Sequence, residues 1–109
     1  MFWNKWKRKN PESLSYKWEM AHRISGYHVK YVTEKKEDIE MVIGKDGAIN
    51  IKEEDLLVFA SMDVLFRCPV KDLQAWILLS GDGVVLTGPD LEHGGQVRTV
   101  TVYYVYHIK

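Results

Sequence analysis

Four histidines, one cysteine and two turn serines are the side chains through which this chain would do nucleophilic or acid–base chemistry, and none stands in a setting that activates it. His22, His28, His93 and His107 are dispersed, and only His93 has close acidic neighbours, Asp90 and Glu92. Two carboxylates and an imidazole are donor types that hold a cation, but such a site needs a fourth partner from elsewhere, and a cluster this tight along the chain reads more simply as a solvated loop. Cys68 sits on a predicted strand beside Pro69. Free cysteine is among the most buried residue types, so a small core residue is expected there rather than a reactive thiol. Ser61 and Ser80 fall in predicted turns without a nucleophile-elbow pattern. Gly81-Asp82-Gly83 reads as a hairpin and not as a nucleotide loop, because no helix pattern follows it. No catalytic, metal-binding or cofactor-binding residue is assigned, no cofactor is implied, and a non-enzymatic domain is expected.

Binding chemistry is concentrated at the start of the chain. Phe2, Trp3, Lys5, Trp6, Lys7, Arg8 and Lys9 interleave large aromatics with cations, a composition suited to a membrane interface or to stacking and phosphate contact. The simpler expectation is that the tryptophans fold back over apolar surface. Removing those four cations from the fifteen leaves eleven against fifteen acids, so the body is mildly acidic. An acidic body repels a phosphate backbone, which disfavours nucleic acid and leaves an anionic membrane surface as the expected partner of residues 1–9.

The elements that would carry these residues are mostly strands. Residues 10–20 give two conflicting signals. Asn10-Pro11-Glu12 has the cap, first-turn proline and acid of a helix start. Leu14, Tyr16, Trp18 and Met20 alternate with polar residues as a strand does, and the alternation favours the strand. Tyr27, Val29 and Tyr31 alternate next, residues 34–38 read as a charged loop, and Ile39, Met41 and Ile43 form another strand. Gly44-Lys45-Asp46-Gly47 is the glycine-flanked hairpin expected to follow it. Ile49 and Ile51 then alternate, and Leu56-Leu57-Val58-Phe59 is apolar throughout, as in a strand covered on both faces or at the centre of a sheet. Residues 61–63 turn the chain into a strand ending near Cys68, because Pro69 has no amide hydrogen for a ladder.

Residues 47–73, with the strand Leu56-Leu57-Val58-Phe59 and the run Phe66-Arg67-Cys68-Pro69-Val70-Lys71-Asp72-Leu73, resemble the middle strands of GRAM and bacterial pleckstrin-homology-like domains. That resemblance implies a small barrel. It also implies a C-terminal amphipathic helix closing one end, where this chain instead has a strand over residues 99–108. A further implication is a basic first hairpin loop for phosphoinositide headgroups, and residues 44–47 offer one lysine with a neutralising aspartate.

Residues 74–79 and 84–87 read as two more strands around a Ser80–Gly83 turn, and residues 88–95 form the longest polar interruption. Residues 96–108 make an unusually long final strand, reaching roughly 40 Å at about 3.3 Å per residue. Neither of its faces is convincingly polar, so homo-oligomerisation through Tyr103, Val105 and His107 is expected.

At 109 residues the chain has the size of one domain, with 46% apolar and 28% charged residues. The lone cysteine makes no internal disulfide, and no apolar run suits a signal peptide or a membrane span, which points to the cytoplasm. The expected architecture is mainly β: a basic aromatic segment over residues 1–9, then a single antiparallel meander over residues 10–109. The meander would form a small barrel or half-barrel, with a short N-terminal helix as the alternative for residues 10–25. The expected function is a binding or scaffold module, self-associating and touching an anionic surface. Its alternative is a ligand carrier or enzyme with a pocket lined by the tyrosines of the last strand. The small-molecule ligand is not specified by the sequence.

Overall fold

Residues 13–104, which the computed structural model describes, open on a helix where alternation predicted a strand. Helix α1 spans Leu14–Ile24, and its cap is Ser13, whose hydroxyl accepts the Tyr16 N–H at 3.1 Å. The buried residues are Lys17, Met20, Ala21 and Ile24, a helical stripe at the spacing i, i+3, i+4 and i+7. The stripe is hard to see in the sequence because a lysine begins it. Lys17 buries its alkyl stem and donates from Nζ to the Lys71 carbonyl at 2.9 Å, so its charge reaches a partner while its methylenes pack. Leu14, which the strand pattern counted as buried, is 54% exposed.

Seven strands follow: β1 His28–Lys36, β2 Ile39–Lys52, β3 Asp55–Ala60, β4 Asp63–Pro69, β5 Gln74–Ile77, β6 Gly83–Pro89 and β7 Val97–Tyr104. Short 3-10 turns lie at Val70–Asp72 and Leu91–His93. The strands form one antiparallel sheet in the order β4-β3-β2-β1-β7-β6-β5, curled into a half-barrel whose edges are β4 and β5. The mainly β meander expected from alternation is thus the fold. Of the unbroken apolar run of β3, Leu56, Leu57 and Val58 are buried and Phe59 is half-buried. Ala21 and Ile24 of α1 join the same core, and the helix also packs on the Val70–Asp72 turn and on β5.

The hairpin expected at residues 44–47 is not there, since β2 passes straight through it. Those glycines answer to close neighbours rather than to a turn. A side chain at Gly44 would collide with Leu65, and one at Gly47 with the Phe59 carbonyl. The real turn is Glu37-Asp38, both in the left-handed region at φ 51° and 67°, as a two-residue type I′ connection requires. It lies at the end of the predicted loop, so β1 and β2 each run further than their alternation suggested.

Candidate functional site

Extending β1 and β2 has a consequence for the surface. The β1–β7 ladder covers Val29 to Thr33, and the β2–β3 ladder begins only at Gly47. Ser61 adds one clasp beyond it, donating its N–H to the Lys45 carbonyl at 2.6 Å and accepting the Lys45 N–H at its hydroxyl. Residues 39–44 therefore have β1 on one side and, among the described residues, no strand on the other. The two strands project as an arm. Ile39 and Met41 pair with Lys36 and Glu34 on one face, while Glu40 and Val42 pair with Lys35 and Thr33 on the other. Ile39, Met41 and Val42 are 63%, 51% and 51% exposed. Apolar side chains along an unpaired edge are the opposite of the charged, shortened edges with which β proteins prevent association.

At the root of this arm a charged cluster closes the half-barrel. Arg98 is in phase with the inward residues Val100, Val102 and Tyr104 of β7. Its guanidinium grips Glu34 of β1 in a two-pronged pair, with Nη2 to Oε1 at 2.8 Å and Nε to Oε2 at 3.1 Å. Nη1 donates to Asp90 and to the Leu65 carbonyl of edge strand β4. Asp90, with no exposed surface, accepts the Arg67 N–H at 3.1 Å and the Glu92 N–H at 3.0 Å on one oxygen. Its other oxygen takes Arg98 and His93 Nδ1 at 2.7 Å, and since a carboxylate only accepts, Nδ1 carries the proton. Leu65 C=O and Arg67 N–H belong to the free edge of β4, so side chains do there what a neighbouring strand would do. Two places on, Pro69 has no N–H to satisfy. Gly88 of β6 completes the closure, because a side chain there would collide with Cys68 Sγ and lie 3.0 Å from the Asp72 carbonyl.

Burial works to raise the Asp90 pKa, but the hydrogen bonds from His93, Arg98 and the two backbone amides outweigh it and hold it below its ordinary value. Glu34 is lowered chiefly by its bond to Arg98, and Arg98 is raised chiefly by Glu34. With all four of its acceptor positions filled, Asp90 is a structural anion and not a base awaiting a proton. Glu92 faces Arg67 at 4.0 Å, so the three polar residues that could have met on a cation are committed elsewhere. Among the described residues no three His, Cys, Asp or Glu side chains are placed to hold a metal ion.

Of the residues the sequence nominated, Phe2, Trp3, Lys5, Trp6, Lys7, Arg8 and Lys9 lie outside the described residues, as do Val105 and His107. Tyr103 lies mid-sheet, its ring stacked on Tyr31 at 4.7 Å. Both edges of β7 are already paired, with β1 and β6. Tyr104 is buried against Tyr27, and the hollow beside that pair measures about 130 Å³, below the usual few hundred for a ligand pocket. A hollow of about 440 Å³ bounded by Thr33, Lys35, Glu40, Thr99 and Thr101 is an open depression on the outer face. Cys68 is buried, and burial, with Asp72 and Asp55 nearby, pushes its thiol up to about 12.

Sequence reasoning missed Arg98, Glu34 and the arm. An arginine in phase with three inward apolar residues was the available signal for the first. Comparison of the chain with family models, with curated proteins and with solved structures finds no match in any of the three.

Proposed function

We propose that the chain is a non-enzymatic binding module in which the β1–β2 arm takes up an extended segment of a partner protein as an added strand. The observation that carries this is the unpaired edge of residues 39–44 with Ile39, Met41 and Val42 exposed along it. Strand addition draws affinity from main-chain hydrogen bonds and selectivity from alternate side chains, and the arm offers both. A two-stranded ribbon is marginal in water by itself, so a third strand also stabilises the arm. The half-barrel is compatible with the resemblance to GRAM and bacterial pleckstrin-homology-like domains. That resemblance gives no headgroup site here, since residues 44–47 run inside β2.

Titrating the labelled protein with a lysine-capped heptapeptide of alternating valine and threonine tests the arm. The expected result is chemical-shift change and slowed amide exchange centred on residues 39–44. Changes confined to other parts of the sheet, or none at saturating peptide, would reject it.

Residues 1–9 are proposed as a weak second contact, to an anionic membrane. Each lysine or arginine adds at most about 1 kcal/mol near acidic lipid, so attachment is reversible and salt-sensitive. None of the described helices is long and apolar enough to cross a membrane. Full-length chain is expected to sediment with acidic liposomes at low salt and not at high salt, while a chain starting at Asn10 stays in solution. Equal, negligible sedimentation of both returns the tryptophans to packing on the barrel.

A further inference from the structure

We propose that the strand added to the arm is the same arm from a second copy of this chain, paired antiparallel about a two-fold axis through Met41. This rests on the reading of the arm as a strand acceptor and names its occupant. The regular part of the free edge has natural limits. It starts after the Glu37-Asp38 turn and stops at Val42, because Val32 pairs with Gly44 while Thr33 pairs with Val42, leaving Ile43 as a bulge. Residues 39–42 are the regular segment, and two copies overlap on it most fully when the axis passes through Glu40 or through Met41.

Side-chain chemistry chooses the one through Met41. A two-fold axis normal to a sheet keeps each side chain on its own face, so a residue can face only itself or one an even number of places away. Centring on Glu40 would set two glutamates together. Like charges directly opposite destabilise a pair of strands. Centring on Val42 or on Ile43 would carry the pairing past the bulge to Lys45, whose N–H and C=O are already taken by Ser61. The register through Met41 has neither fault. It sets Met41 on Met41, puts each Glu40 opposite Val42 of the other copy and not opposite the other Glu40, and brings Ile39 up to the Ile43 bulge at each end. Such a contact is self-complementary, as a two-fold interface must be.

The contact is small. Three residues of ladder and the side chains that flank them bury less than the roughly 800 Å² per partner of a standard interface, so dimerisation is weak and concentration-dependent.

Two variants of the full chain test the register. Met41→Lys sets two ammonium groups against each other on the axis and is expected to raise the dimer dissociation constant at least roughly tenfold by sedimentation velocity. Circular dichroism checks that this half-exposed position leaves the fold unchanged. Met41→Cys places two thiols on residues whose Cα atoms are about 5 Å apart across an antiparallel pair, within disulfide reach. It is expected to cross-link under mild oxidation much faster than Leu79→Cys, at a fully exposed control position, with buried Cys68 silent in both. A monomer mass up to millimolar concentration, or equal cross-linking at the two positions, overturns the second copy as occupant. If that monomer still shows peptide-induced shifts at residues 39–44, the arm accepts a strand from another protein. If the shifts are absent as well, the strand-acceptor reading falls with it.

Discussion

Replacing Asp90 by alanine is expected to remove about 3–5 kcal/mol of folding stability, the range for breaking one side of a buried, hydrogen-bonded ion pair. The loss is large because the carboxylate serves four donors from three places in the chain. Without it, the Arg67 N–H on the edge of β4 loses its acceptor, Glu92 N–H loses its own, and Arg98 keeps only Glu34 and the Leu65 carbonyl. Asp90→Asn preserves the shape but presents an NH₂ group to donors, so it is expected to recover little. Acid should expose the same cluster. Asp90 and Glu34 both titrate below their ordinary values of 3.8 and 4.5 in the folded chain. Their stabilisation is therefore complete above those ordinary values and drains away as pH falls through the lower folded-state ones. Urea midpoints taken from neutral pH down through the carboxylate range should fall steeply for the natural chain and more gently for Asp90→Ala. A variant within about 1 kcal/mol of the natural protein, with the same acid slope, would show that β4 is held without this carboxylate.

How far such a cluster can be read from a sequence depends on how local its bonds are. The strands were legible because period-two alternation is a property of neighbours: β3, β4 and β6 lie close to where their apolar residues placed them. Helix α1 was not, since Leu14, Tyr16, Trp18 and Met20 mimic alternation while Lys17 hides the true stripe, and only the Lys71 carbonyl explains why a lysine is buried there. The turn at Glu37-Asp38 was displaced because hairpin reasoning looks for glycine, and this chain puts two acidic residues in the left-handed region instead. Glu34 and Arg98 are 64 residues apart, so their pairing exists only once β1 lies beside β7. Asp90 and His93 were visible as a polar group in a loop, but their partners were not. The arm was invisible for another reason: an edge is defined by what fails to pair with it, and β3 stops short of it by a geometry no alternation records.

Gly47→Ala is the substitution expected to damage the sheet most directly. Gly47 is the first residue of β2 to pair with β3, opposite Ala60, and so marks where the arm ends and the covered sheet begins. A side chain there would run into the carbonyl of Phe59 and lie 2.8 Å from Ala60 Cα. Both obstacles are backbone, so no rotamer change relieves them, and the ladder itself must open. Overpacking a core costs about 1–3 kcal/mol when side chains can move aside, and a backbone collision belongs at or above the top of that range. The preceding residue leaves little slack, because Asp46 already holds a left-handed φ of 54°. Gly81→Ala separates the two roles a glycine plays. Gly81 has φ 81° but nothing within 4 Å of a new side chain, so only the left-handed backbone penalty of about 1–2 kcal/mol applies. Denaturation of both variants, with amide exchange read along β2 and β3, should therefore give the larger loss and the faster exchange to Gly47→Ala. Equal losses, or exchange unchanged at the first β2–β3 pairs, would mean that β3 can withdraw from Gly47 and that the close approach does not set the register at the root of the arm.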